Sequence, residues 1–218
     1  TIRQEPNRTA EALAGFLIQA DGIGLSLQGP PGTGKTTVTG QLIAELVAKG
    51  QRVAVSSNTN EAINNLLLKV QSCLDDNHNT ALVVKVASTS SEKADVKALA
   101  GSRVQALQDK NLPENPAVLG GTIFTFVKEA YEDAPFDLLV IDEAHHAIAQ
   151  SYRRIIDRAR DQNPDCRIYG VTATPNRGDK IGLREVFSNV ADQIRLGELI
   201  AAGHLVAPRT FVIDVGVQ

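Results

Sequence analysis

Residues 29–37 read Gly29-Pro30-Pro31-Gly32-Thr33-Gly34-Lys35-Thr36-Thr37. The spacing G-x-x-x-x-G-K-[ST] is that of a loop built to hold a polyphosphate. Backbone N–H groups can cradle phosphate oxygens only where no side chain intervenes. Gly29, Gly32 and Gly34 leave that space and accept φ values other residues resist. Lys35 supplies a point charge to the β- and γ-phosphates, and the Thr36 hydroxyl is placed to ligate Mg²⁺. A helix starting here adds its positive dipole end. The second chemical stretch is Phe136 to His145, an apolar run that ends in Asp142 and Glu143. Asp142 can hold Mg²⁺ through water, facing Thr36. Glu143 can orient or deprotonate the water that attacks a γ-phosphate. Two acids at a strand end can also be plain helix caps, and the upstream loop is what favours chemistry. His145 and His146 beside the acids lack further ligands at metal spacing. Thr172 and Thr174 end another strand, where their hydroxyls can bridge the phosphate region to a second surface. Gln4 is either an adenine-reading glutamine or a polar residue near a terminus.

The elements that must position these groups can be read from periodicity. Ala10, Leu13, Phe16, Leu17 and Ala20 predict a helix over 9–20. Residues 23–27 predict a short buried strand running into the glycine loop. Val38, Leu42, Ile43, Leu46 and Val47 predict the helix that follows, closed by Gly50. Arg52 to Ser56 is a β-branched run expected to be a parallel strand. Asn58 is expected to cap the next helix, with Glu61 completing a capping box and Ile63, Leu66, Leu67 and Val70 facing inward. Between Leu74 and Pro116 the pattern weakens. It predicts a loop at 75–79, a strand at 82–86, polar exposed residues at 88–92, a weak helix over 93–109 and a loop at 112–116. This stretch, 74–116, reads as an insertion or a specificity element. Strands are expected at 117–123, 136–142 and 166–171. Phe124 and Phe126 are expected in the core, with base stacking the alternative. Ile148, Tyr152, Ile155, Ile156 and Ala159 predict a helix stopped by Asn163-Pro164, its arginines on a solvated face. Short helices are expected at 181–190 and 196–202, and β-like segments at 204–208 and 211–215.

Composition narrows the function. With 218 residues and a formal charge of −3, the chain is not a strongly basic binder, although a local groove can still be positive. The 2 cysteines, Cys73 and Cys166, lie far apart without metal spacing and read as reduced thiols of a cytoplasmic protein. No apolar run is long enough to span a membrane. A chain that opens on Thr1 rather than Met reads as a piece of something longer. Alternating strands and helices predict an α/β fold with a doubly wound, mostly parallel sheet.

Taken in series, GPPGTGKTT, DEAH at 142–145 and TATPNR at 172–177 resemble the first RecA-like motor domain of the superfamily 2 helicases and translocases. GVTATPNRGDKIGLREVF and GELIAAGHLVAPR are similar to the same group. The resemblance runs through nearly the whole chain, strongest over 25–60 and 136–208. It implies one P-loop ATPase domain over 1–218, with 205–218 approaching a second RecA-like domain. Lys35, Thr36, Asp142 and Glu143 would serve ATP and Mg²⁺. His145, Thr172 and Thr174 would couple nucleotide state to grip on nucleic acid, DNA ahead of RNA. SSNTNEAINNLL at 56–67 looks more like the strand-contacting motif of superfamily 1. By that likeness Ser57, Asn58, Thr59, Gly121 and Thr122 would touch the sugar-phosphate backbone, which positions a strand without reading bases. The chain has no G-R-x-G-R arginine motif, so the isolated piece is expected to hydrolyse ATP very slowly. The competing readings are a protein remodeller of the AAA+ kind, for which GPPGTGKTT alone would also serve, and a motor or nucleotide-gated module within a restriction or defence complex.

Overall fold

The computed structural model describes residues 6–19, 23–87, 97–108, 112–113, 116–127, 135–146, 150–173, 186–187, 189–193 and 201. Its elements in chain order are α1 (Pro6–Gln19), β1 (Gly24–Gln28), α2 (Lys35–Ala48), β2 (Val53–Ser57), α3 (Asn60–Asp76), β3 (Val83–Val86), β4 (Gln105–Leu107) and β5 (Val118–Thr122). They continue with a single helical turn α4 (Ile123–Phe126), β6 (Leu138–Asp142), a 3-10 turn (Ala144–His146), α5 (Gln150–Gln162), β7 (Arg167–Thr172) and β8 (Asn189–Gln193). The eight strands form one sheet in the order β4-β3-β5-β2-β6-β7-β1-β8, and every pairing is parallel.

The sheet is apolar on both faces because each face has its own helices. Successive strand residues point to opposite sides. Val53, Val55, Leu138, Val140, Tyr169 and Val171 therefore join the cluster under α1, α2 and α3. Ala54, Leu139, Ile141 and Ile168 join the other, with Ile123, Phe126, Tyr152, Ile155 and Ile156 of α4 and α5. This is why the inner strands read as continuous hydrophobic runs rather than alternating ones. Arg167 is nearly buried at the foot of β7. Its guanidinium donates to the Ile18 carbonyl and to Gln51, tying the end of α1 to the sheet. Both cysteines are free and buried, and burial pushes the Cys166 thiol up to about 12.

The structure departs from the sequence expectations in several places. Phe16 and Phe124 are exposed, at 47% and 72%, rather than in the core. On α1 the small Ala14 packs inward in place of Phe16. The cap of α3 is Thr59, whose hydroxyl accepts from the Ala62 N–H, and Asn58 is outside the helix. Asp75 and Asp76 complete the last turn of α3 instead of opening a loop. The stretch expected to be weakly helical contains β4, and Val190, expected in a helix, lies in β8. Ala20, Ile148 and the segments at 88–92, 204–208 and 211–215 lie outside the described residues.

Close approach of helix to sheet depends on small residues. A Cβ on Gly120 of β5 would stand 2.6 Å from Cδ1 of Leu67 and 3.1 Å from Cγ2 of Ile63, both in the tight core under α3. Overpacking of this kind costs about 1–3 kcal/mol. Gly120→Ala is therefore expected to lower the melting temperature by about 2–4 °C per kcal/mol lost. A calorimetric scan that leaves the midpoint unchanged would show that α3 is free to lift.

Candidate functional site

Because all strands run one way, their carboxyl ends share one edge of the sheet, and the chemical residues lie along it. In register, Gln28 pairs with Thr172, Val171 with Asp142, Ile141 with Ser56, and Ser57 with Thr122. The glycine loop, the acid pair, the 58–59 loop and the chain beyond Thr122 therefore leave the sheet at nearly one level. Asp142 is not on the strand next to β1. β7 lies between them and places Thr172 between the loop and the acids.

The loop is shaped from within. Gly32 and Gly34 have φ of 78° and 81°, and a Cβ built on either meets nothing within 4 Å. The concave side is open, and side chains are excluded by backbone conformation rather than by crowding. The Thr33 hydroxyl donates to the Pro30 carbonyl, and the Gly29 N–H donates to the Thr172 carbonyl, which pins the start of the loop to β7. Gly29 is buried, Pro30 and Thr37 are half-buried, and Pro31 and Thr36 are exposed at the mouth. α2 begins at Lys35 with Gly34 as its left-handed cap, so its first-turn N–H groups open toward the loop.

The Lys35 ammonium donates to the carbonyls of Gly29 and Pro30 at 2.6 and 2.7 Å. Two of its three N–H groups are thus satisfied by the loop itself. Burial lowers its pKa, while Glu143 and Asp142 oppose that shift with their charge. Asp142 is displaced the other way. Burial raises its pKa above the usual carboxylate range, and the nearby Glu143 adds to the rise. The Glu143 N–H, Lys35 and His145 act against it. That N–H donates to Asp142 Oδ1 at 3.0 Å.

Glu143 has φ of 55°, a left-handed conformation that is uncommon outside glycine and asparagine. It turns the chain sharply out of β6 and leaves the carboxylate half-buried, with Oε2 3.2 Å from Nδ1 of His145. The same Nδ1 is 3.2 Å from Oγ1 of Thr172. A carboxylate can only accept, so a proton on Nδ1 serves both oxygens. The structure thus joins Lys35, Asp142, Glu143, His145 and Thr172 in one contiguous cluster.

The expected strand-contacting residues are less uniform. Asn58 and Thr59 are exposed, but Ser57 is fully buried and so is not presented to a strand as expected. Gly121 is also buried, and the Thr122 hydroxyl is engaged in capping α4, where it accepts from the Thr125 N–H. Gln4 and Thr174 lie outside the described residues. Among the described residues no group of three or more His, Cys, Asp or Glu could hold a metal ion, and no helix is long and apolar enough to cross a membrane. Sequence reasoning missed Tyr152, counted only as an apolar face residue. Its hydroxyl donates to Asn58 Oδ1. A tyrosine on an otherwise aliphatic helix face is the available signal, since a buried phenol needs a partner.

Comparison with known proteins agrees with this geometry. The family described as "Type III restriction enzyme, res subunit" matches residues 6–177. Among curated proteins, the chain is 28% identical over 120 residues to the DNA replication ATP-dependent helicase/nuclease dna2 of Schizosaccharomyces pombe, covering 53% of this chain and 8% of that one. It is 31% identical over 91 residues to the putative ATP-dependent helicase IRC3 of Saccharomyces cerevisiae, covering 40% of this chain and 13% of that one. The chain thus spans a small part of each relative. Among solved structures, a nuclease-deletion mutant of the Type ISP restriction-modification enzyme LlaGI with a DNA substrate mimic superposes with a TM-score of 0.62 at 18% identity, over 92% of this chain and 20% of that one. The UvsW helicase of bacteriophage T4 gives 0.55 at 16% identity, over 86% and 59%. The second pair establishes the RecA-like fold; the family match establishes kinship. The chain belongs to the family of type III restriction enzyme res subunits.

Proposed function

We propose that this chain is the N-terminal motor half of a nucleic-acid translocase or helicase, and that the cluster around Lys35 is where it binds and hydrolyses Mg·ATP. The observation that carries the reading is the convergence of Lys35, Asp142 and Glu143 at one sheet edge above an open glycine loop. A triphosphate would be held by the N–H groups from Gly32 to Thr37, with Lys35 exchanging its loop carbonyls for phosphate oxygens. Thr36 and Asp142 are the residues that would hold Mg²⁺. They suit it: the Glu143 N–H takes only Oδ1 of Asp142, and two protein oxygens completed by water and phosphate are the usual complement for this ion. When bound, Mg²⁺ neutralises charge on the phosphates. Glu143 accepts the proton of the attacking water, and His145 holds that carboxylate next to Thr172.

The family and the LlaGI likeness support a parent protein that moves on DNA, in a restriction complex among other settings. Neither favours a protein remodeller. The strand is gripped along the edge formed by Asn58, Thr59 and the end of β5 at Thr122, with backbone contacts prominent. A second RecA-like domain supplies the missing arginine. The two reduced, buried thiols accord with a cytoplasmic setting.

Three outcomes test this. In the full-length protein, Lys35→Ala loses ATP binding, while Glu143→Gln binds ATP and does not turn it over. Equal steady-state rates for Glu143→Gln and the parent would remove that carboxylate from catalysis. The 218-residue piece alone turns over ATP slower than the full-length protein by about 10³–10⁵, the usual worth of an arginine finger.

Asp142→Asn abolishes turnover yet stabilises the ATP-free protein. A carboxyl with a raised folded pKa destabilises the fold once the unfolded chain ionises. The gain in melting temperature is therefore absent near pH 3, below the ordinary carboxyl value of about 3.9. It grows as pH rises and is complete above the folded value. Melting curves showing a loss at pH 7 would mean that the carboxylate is already well compensated.

A further inference from the structure

The Asn58 loop offers few groups to a bound strand. Ser57 is buried, and the Thr59 hydroxyl is held at the cap of α3, where it accepts from the N–H of Ala62 and keeps a single O–H to give. The Asn58 carboxamide beside it is exposed and has two unlike ends. Its oxygen only accepts and its NH₂ only donates. A phosphate offers acceptors alone, so an amide presented oxygen-outward meets it unfavourably.

Tyr152 settles which end faces out. It lies on the inner face of α5, 2% exposed, and its phenol donates to Asn58 Oδ1 across 94 residues of sequence. The ring is fixed among apolar neighbours, so the hydroxyl is a rigid post rather than a mobile surface group. Burial, and then the charges of Asp142 and Glu143, push the phenol above its usual range and keep it a donor at all working pH values. With Oδ1 held inward, the two amide hydrogens of Asn58 are left toward solvent. The placement also joins two functions. β2 and β6 are neighbours, with Ser56 opposite Ile141, so the Asn58 loop and the acid pair leave adjacent strands. Tyr152 belongs to the helix that follows those acids and holds the loop that follows β2.

We propose that Tyr152 is a positioning residue for nucleic acid: its buried hydroxyl fixes the Asn58 carboxamide with the oxygen inward, so that the NH₂ group donates to a backbone phosphate of the bound strand. This deepens the motor reading above and rests on its claim that the Asn58 loop meets the strand. Tyr152 touches neither nucleotide nor strand.

The test is a double-mutant cycle in the full-length protein, with fluorescence anisotropy of a labelled oligothymidylate as the affinity readout. Tyr152→Phe removes only the hydroxyl. It is expected to weaken binding about three- to tenfold, the usual net worth of one hydrogen bond. The ATP KM and the oligonucleotide-free ATPase rate should be unchanged. Asn58→Ala weakens binding at least as much, and the double variant is no worse than Asn58→Ala alone. Asn58→Asp, the same shape without donors, binds poorly with either residue at 152. Parental affinity in Tyr152→Phe overturns the proposal, as do fully additive losses. A parallel fall in oligonucleotide-free ATP turnover also overturns it, by marking the hydroxyl as scaffold. A parent that hydrolyses ATP but binds neither oligothymidylate nor a DNA duplex removes the nucleic-acid reading itself, a result distinct from all of these.

Discussion

Parallel pairing places the carboxyl end of every strand on the same edge, and the rest of the molecule follows from that constraint. A parallel strand needs a crossover before its neighbour can begin. The crossovers here carry helices to both faces, so the strands are buried on two sides and selected for apolar, β-branched residues. Apolar residues dominate the strand bodies, with Ser26, Ser56 and Lys85 as buried exceptions, and the residues of the site gather where the strands stop. Gln28, Ser57, Thr122, Asp142 and Thr172 are all last residues of their strands. A site assembled from segments far apart in sequence costs little extra ordering, because the ladder that stabilises the fold also sets its level.

At that edge the protein holds an unfinished charge balance. Burial opposes the positive form of Lys35 and the negative form of Asp142 at once, and each partly relieves the other. The ammonium finds carbonyls of its own loop; the carboxyl finds one backbone N–H. Neither arrangement is what a chain selected only for stability would keep, since neutral side chains would sit there at lower cost. Glu143 adds backbone strain to the same few residues. Such tension is expected where a ligand carrying both phosphate and metal completes the balance.

What could be read from the sequence divides along physical lines. The glycine loop and the acid pair were legible because backbone conformation and charge leave few alternatives at those spacings. α2, α3 and the central strands were legible because two-sided burial writes long apolar runs. The misses come where burial is partial. β4 is a three-residue edge strand with half-exposed side chains, so it carries little periodicity and looked helical. Asn58 and Thr59 are adjacent residues that can both cap a helix; the first is bonded to Tyr152 and the second caps. Phe16 and Phe124 follow the apolar pattern yet face outward, which pattern alone does not separate from packing. The hydrogen bonds that join His145 to Thr172 and Asn58 to Tyr152 depend on which strands are neighbours, a fact no local window contains.

The interposition of β7 between β1 and β6 has a mechanical meaning. The three strands are bound by continuous ladders, Gly24 to Gln28 against Ile168 to Thr172 and Leu138 to Asp142 against Arg167 to Val171. Sliding the phosphate loop relative to the acids would require breaking several of these bonds together. The phosphate loop and the acids are therefore held at a gap that the sheet itself sets. This edge of the domain is an anvil: a rigid seat whose spacing no loop movement can change.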